Sequence, residues 1–177
     1  MNQTSLATES VAPRLAKKRI VIGIGEYAVS NDPESTIITH ALGSCVAVCL
    51  WDPVARVGGM VHVLLPDSKI NPERASAQPG AFADTGIPLL FKTAYSQGAV
   101  KSRCRVHLVG GATISGAPQM EPSVGKRNVL AARQMLWRNG VMVEKEHVGG
   151  SVARNVSIDV TDGTVQLSGS QVAAAVL

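Results

Sequence analysis

The chain has 177 residues, 45% of them apolar and 17% charged, which is enough apolar surface for one cored domain and too much for a disordered chain. Its net charge of +4 is modest and its aromatic content only 3%, so it lacks the basic stripe with interleaved rings that nucleic-acid binding requires, and no nucleic acid is expected as a partner. Three cysteines without regular spacing argue against a disulfide framework, and no run reaches the roughly 18 apolar residues of a membrane span. Residues 1–18 are polar, are broken by Pro13 and have no apolar signal segment. A soluble, cytoplasmic protein with reduced thiols and no membrane insertion is expected, its mild basic charge suited to an acidic protein partner.

Residues 1–17 carry Thr, Ser, Ala and Pro without periodicity and are expected to form a disordered lead-in. The β-branched run Arg19–Gly25 predicts a first strand, Thr36–Thr39 a second and Val46–Trp51 a third. After Asp52-Pro53, Val57–Leu65 predicts a fourth strand, which forms a hairpin with the third. Pro66–Gly80 is polar and contains Pro72 and Pro79, so a long exposed loop is expected there. Asp84 or Thr85 begins a helix ending near Gln97-Gly98, and Arg105–Val109 is a strand entering Gly110-Gly111. Helical spacing of Val129, Leu130, Ala132, Met135 and Leu136 predicts a second helix over Gly125–Asn139.

Val141–Val148, Asn155–Val160 and Thr164–Leu167 predict three more strands, the last two joined at Asp162-Gly163. Residues 18–168 thus read as a single domain and 169–177 as a loose C-terminal tail. Runs of strands on both sides of two helices give an α+β class with mixed sheets.

Three patterns compete for chemistry. Gly23-Ile24-Gly25-Glu26-Tyr27-Ala28 fits a dinucleotide fingerprint, but Asn31-Asp32-Pro33 stops any helix behind it, so a tight strand-to-turn corner is the better reading. Cys45, Cys49 and His62, even with His40 or His107 added, lack the paired short spacings of structural zinc, and no metal site is expected. Cys49 and Cys104 read as small core residues.

Cys45 is different. It follows Gly43-Ser44 at a loop-to-strand junction, where converging backbone N–H groups favour a thiolate. His62 sits on the hairpin partner strand as a candidate base, and Thr39 is near enough in sequence to orient it. The set points to a cysteine nucleophile working on an amide or ester carbonyl.

The run Thr39-x-x-Leu42-Gly43-Ser44-Cys45-Val46-Ala47-Val48, followed by Asp52-Pro53 and Gly58-Gly59-x-x-His62-x-x-Leu65-Pro66, closely resembles the chemoreceptor glutamine deamidases of the CheD family. Gly23–Val29, Ala83-Asp84-Thr85, Gly110-Gly111-Ala112, Gly125-x-Arg127-Asn128 and Gly149-Gly150 have counterparts there too, so the resemblance runs from about Ile20 to Leu167. It implies a protein-glutamine glutaminase in chemotaxis, with Cys45 as nucleophile, His62 as general base and acid, and Thr39 positioning the histidine. N–H groups from Gly43 through Ser44 to Cys45 are expected to hold the oxyanion, and no metal or organic cofactor is implied. The implied fold is two stacked mixed β-sheets flanked by helices, a cysteine-hydrolase fold similar to the catalytic domain of the cytotoxic necrotizing factor toxins.

The implied substrate is the chemoreceptor cytoplasmic helical bundle. In some chemotaxis systems such proteins also partner a CheC-type phosphatase. Two other readings of the same residues remain: a non-catalytic adaptor that keeps Cys45 as packing, and a thiol peptidase or acyltransferase using the same pair.

Overall fold

Short β-branched segments alternate with turns along most of the chain, and they assemble into two five-stranded sheets in the computed structural model, which describes residues 17–113 and 122–177. The first sheet has the order β1 (Lys18–Ile22), β3 (Ser35–Leu42), β8 (Arg154–Asp159), β9 (Val165–Gly169), β10 (Val172–Val176). The second has the order β2 (Tyr27–Ser30), β5 (Val57–Val63), β4 (Val46–Asp52), β6 (Arg105–Gly110), β7 (Lys145–Val148). Each sheet is mixed: β1 runs parallel to β3, β6 runs parallel to β7, and the other neighbours are antiparallel.

The apolar residues sort into two layers. Ile22, Ile37, Leu42, Ala47, Met60, Ile158 and their neighbours fill the space between the sheets. On the other face of the second sheet, Val46, Val48, Leu50, Val61 and Val63 pack against helices α2 (Ala83–Ser96) and α3 (Val124–Arg138). Both faces of β4 and β5 are therefore buried, which is why these strands read as unbroken apolar runs rather than alternating ones. The architecture is the expected α+β arrangement of two stacked mixed sheets flanked by helices.

The β4–β5 hairpin is closed by Asp52. Its carboxylate is fully buried and accepts the N–H groups of Val54, Ala55 and Val100 as well as the Arg103 guanidinium. Burial raises its pKa, but Arg103 and the three N–H groups outweigh burial and hold the carboxyl well below the usual carboxylate range. The pair's contribution is present above the unfolded value of about 4 and is lost only as pH falls toward the folded one. Asp52→Ala strands the guanidinium and three N–H groups, so urea denaturation is expected to show a loss of about 3 kcal/mol or more. An unchanged midpoint would rule the clamp out.

Two expectations are corrected. Residues 66–80 are not an irregular loop: a 3-10 turn at Ser68–Ile70 is followed by α1 (Pro72–Ala77) and a second 3-10 turn at Pro79–Ala81. Pro72 reads as a breaker in sequence, yet it occupies the first helical turn, where its missing N–H is no loss, and Asn71 caps the helix through Arg74 N–H. Residues 169–177 are not a loose tail, because Val172–Val176 forms β10 on β9. Three alanines give that strand little intrinsic signal, and the pairing edge of β9 supplies what propensity does not. The lead-in expected over residues 1–17 lies outside the described residues except Lys17, which pairs with Asp159.

Candidate active site

Cys45 stands one residue before β4, and the register Val46↔Val63, Ala47↔His62 places it diagonally across the hairpin from His62. Diagonal neighbours on one face of an antiparallel pair are about 7–8 Å apart at Cα, within reach of a long side chain such as histidine. Cys45, Ala47 and Cys49 all face the layer between the sheets, as does Met60 two residues before His62. The hairpin expected from sequence thus puts thiol and imidazole on one face, offset by two residues rather than directly opposed.

His62 is held at its main chain by the Gly23–Glu26 corner. Gly25 N–H donates to His62 O at 2.8 Å, and His62 N–H donates to Glu26 O at 2.9 Å. Gly25 has φ +77 and its C=O lies 2.4 Å from where a Cβ on Gly80 would stand, so two glycines are needed where the 78–80 segment crosses this corner. The glycine motif is a strand-to-turn corner, as expected, and its work is to anchor the histidine.

Thr39 comes from the facing sheet. Its hydroxyl lies 3.0 Å from Ile22 O and 2.7 Å from His62 Nδ1. A carbonyl only accepts, so the hydroxyl donates to Ile22 and must accept from His62. That fixes the tautomer: Nδ1 carries the hydrogen, and Nε2 presents its lone pair. Nε2 is buried and has no hydrogen-bond partner among the described residues, as a base waiting for a proton should be.

Thr39 is 0% exposed, His62 1% and Cys45 6%. Burial lowers the His62 pKa to about 4, so the ring is neutral at rest. Burial also pushes the Cys45 thiol up, opposed by the N–H of Cys45 itself. This corrects the expectation of a favoured thiolate: desolvation outweighs the converging N–H groups, and the resting pair is thiol and imidazole. The proton must therefore move as the sulfur attacks.

The loop before Cys45 is irregular. Ala41 has φ +54, and the β3–β8 ladder shifts register between Thr39 and Leu42. Three successive carbonyls of this loop are tied down: Gly43 O accepts from Ala112 N–H at 2.8 Å, Ser44 O from Asn128 Nδ2 at 2.9 Å, and Cys45 O from Gly111 N–H at 2.7 Å. Gly43 and Ser44 thus belong to an ordered loop immediately before Cys45. Asn128 is a residue that sequence reasoning noted without giving it a role.

The remaining candidates lie apart. Cys49 is four residues further along β4 from Cys45, about 13 Å at strand spacing, so the two cannot share one metal ion. Cys49 is fully buried and its thiol is pushed up to about 12 by burial, as befits a core residue. His40 is exposed, and His107 is buried opposite Cys49 with no partner for its Nδ1 among the described residues.

The sequence comparisons agree with one another. Residues 64–169 match the family model described as CheD chemotactic sensory transduction, a segment that begins just after His62. The chain is 45% identical over 155 residues to "Probable chemoreceptor glutamine deamidase CheD 2" of Anaeromyxobacter dehalogenans, covering 87% of this chain and 97% of that protein. It is 40% identical over 151 residues to the Syntrophus aciditrophicus protein "Probable chemoreceptor glutamine deamidase CheD 1", covering 85% of this chain and 94% of that one. With the Thermotoga maritima "Chemoreceptor glutamine deamidase CheD" it shares 42% over 143 residues, 81% of this chain and 87% of that protein. Among solved structures it resembles Bacillus licheniformis hypothetical protein YfiH at a TM-score of 0.44 and 15% identity, over 80% of this chain and 62% of that one.

Proposed function

Because the chain belongs to the CheD family, we propose that it is a chemoreceptor glutamine deamidase whose reaction is carried by Cys45, His62 and Thr39. The observation that carries the assignment of residues is the Thr39–His62 contact at 2.7 Å, which leaves Nε2 bare in the layer that Cys45 faces.

The substrate glutamine enters with its side-chain carbonyl carbon over the Cys45 sulfur. Nε2 of His62 takes the thiol proton while the C–S bond forms, and the carbonyl electrons move onto oxygen. The Ser44 and Cys45 N–H groups face that oxygen and hold its charge. The imidazolium returns the proton to the amide nitrogen, the C–N bond breaks, and ammonia leaves a thioester on Cys45. A water then gives its proton to Nε2 and its oxygen to the acyl carbon. The sulfur departs and is reprotonated, and the side chain is released as glutamate. The burial that keeps both groups neutral at rest also strengthens the N–H contacts to the oxyanion, because no water competes for them.

The substrate is a chemoreceptor, and its cytoplasmic helical bundle is the proposed target region. The cytoplasm is the proposed compartment, in which Cys45, Cys49 and Cys104 stay as free thiols. Among the described residues no helix is long and apolar enough to cross a membrane. A CheC-type phosphatase is a proposed second partner, on the family resemblance alone.

Ammonia release from a receptor cytoplasmic fragment tests the reading. The fragment should gain carboxylates at particular glutamines with its chain uncut. Main-chain cleavage would point to a peptidase, and binding without release to an adaptor. Thr39→Val keeps the shape of the side chain but removes the hydroxyl that fixes the tautomer. It is expected to lower kcat about 100-fold with KM little changed, while stability falls by about 2–4 kcal/mol for the Ile22 carbonyl and the His62 Nδ1–H left without partners. Equal loss of kcat and folded protein would reduce Thr39 to a packing residue.

A further inference from the structure

Asn128 ties the two halves of the hairpin site together through one side-chain amide. It is 0% exposed, and its Nδ2 donates to Ser44 O and to Leu64 O, each at 2.9 Å. Ser44 immediately precedes the nucleophile, and Leu64 lies two residues past the base. Exchanging the amide's oxygen and nitrogen would set three oxygens against one another, so the orientation is fixed by its partners.

The fold goes to some length to bring this side chain in. A Cβ on Gly125 would stand 2.5 Å from both Gly111 O and Ala112 O, so only glycine lets the first turn of α3 lie directly on the end of β6. One turn later Asn128 reaches across to the Cys45 loop. Gly111 and Ala112, the residues Gly125 packs on, are themselves the donors to Cys45 O and Gly43 O.

The consequence follows from peptide planarity. In a trans peptide the C=O of one residue and the N–H of the next point in opposite directions. Ser44 C=O points to Asn128, which belongs to the helical layer, so Cys45 N–H points the other way, toward the layer between the sheets that holds the Cys45 and His62 side chains. Among the described residues no turn or loop carbonyl takes the N–H of Ser44 or Cys45, and the Cys45 N–H acts on its own sulfur, on the side where the substrate carbonyl must sit. Resting on the deamidase reading above, we propose that Asn128 is a positioning residue that locks the Ser44–Cys45 peptide plane so that the Cys45 N–H is aimed at the substrate's developing oxyanion. It touches neither substrate nor sulfur and works through the peptide it holds.

A positioning role of this kind affects carbonyl chemistry and spares chemistry that builds no oxyanion. Asn128→Ala and the near-isosteric Asn128→Asp, which replaces the donor with an acceptor, should lower kcat for ammonia release from a receptor fragment about 10- to 100-fold with KM within about twofold. Alkylation of Cys45 by iodoacetamide, a displacement at saturated carbon, should stay within about threefold of the native rate. Unchanged kcat overturns the proposal. So does a parallel fall of kcat and alkylation, which is what loss of folded protein produces.

A measurement on the native chain covers the case in which neither variant folds. A receptor peptide carrying an aldehyde in place of the target carboxamide adds the Cys45 sulfur and sets its oxygen where the oxyanion forms. The Cys45 amide proton should then move strongly downfield in nitrogen-edited NMR, and an unmoved resonance would overturn the proposal. Absence of ammonia release by the native protein would overturn the deamidase reading itself. Equal release by native protein and a folded Asn128→Ala overturns only the role of Asn128.

Discussion

Cys45→Ser is expected to fold as the native protein does and to deamidate at least about 10,000-fold more slowly, the order of loss seen when a hydrolase loses its nucleophile. The substitution is small and the position is 6% exposed, so packing is barely disturbed. Its effect is on proton transfer. Burial lowers the His62 pKa to about 4 and raises that of the Cys45 thiol, so moving a proton from sulfur to Nε2 is already uphill. A hydroxyl is a far weaker acid than a thiol, and the same buried imidazole cannot ionise it at a useful rate. Stopped-time assays of ammonia release, with circular dichroism to confirm the fold, measure this directly. A serine variant retaining a tenth of the native rate would mean that the sulfur is not the attacking atom.

His62→Gln is expected to cost at least about 1,000-fold in kcat, since both the proton removed from the thiol and the one delivered to the leaving ammonia pass through Nε2. The amide of glutamine can still meet Thr39, so the variant separates hydrogen bonding from proton transfer. The same residue sets a pH signature. Its folded pKa of about 4 lies below the ordinary 6.5, so the native protein keeps a neutral ring and full activity through pH 6, and the acid limb of kcat/KM falls near pH 4. The sign for stability follows: between those two values the unfolded chain binds a proton that the folded one refuses. Stability from this group is therefore complete above about 6.5 and is lost as pH falls through the window, and His62→Gln removes that slope. An acid limb centred near 6.5 in the native enzyme would show that the ring is solvated and that the buried-base account is wrong.

Much of the site is legible in sequence because it depends on local geometry. A cysteine at the start of one strand and a histidine near the end of the next are brought together by any antiparallel hairpin, and Asp52-Pro53 marks where that hairpin turns. Thr39 is harder to place. It reaches His62 from the other sheet, and only the stacking of the two sheets converts a separation of 23 residues into a contact of 2.7 Å. The resting protonation state was hidden for a similar reason: the Gly43-Ser44 turn suggests a stabilised thiolate, but the cost of desolvation comes from residues far along the chain.

Asn128 is legible only in part. Gly125, Asn128, Val129, Ala132 and Leu136 form the buried face of α3, and a lone asparagine on an apolar stripe must find partners for its amide. The pattern signals that such partners exist, but which carbonyls they are depends on how α3 lies on β6. Four strands of the first sheet are legible as β-branched runs, with ends that differ from the observed ones by one to three residues. Segment 66–80 is not legible because a proline looks the same in sequence whether it ends a helix or begins one, and β10 because its three alanines carry no strand preference of their own.

The most direct test is peptide mapping by mass spectrometry of a receptor cytoplasmic fragment incubated in heavy-oxygen water with the native protein and, separately, with Cys45→Ala. The account predicts that particular glutamines become glutamates carrying one heavy oxygen, that the main chain stays intact, and that the alanine variant leaves every glutamine unchanged. Equal conversion by both proteins, or conversion by neither, would contradict it.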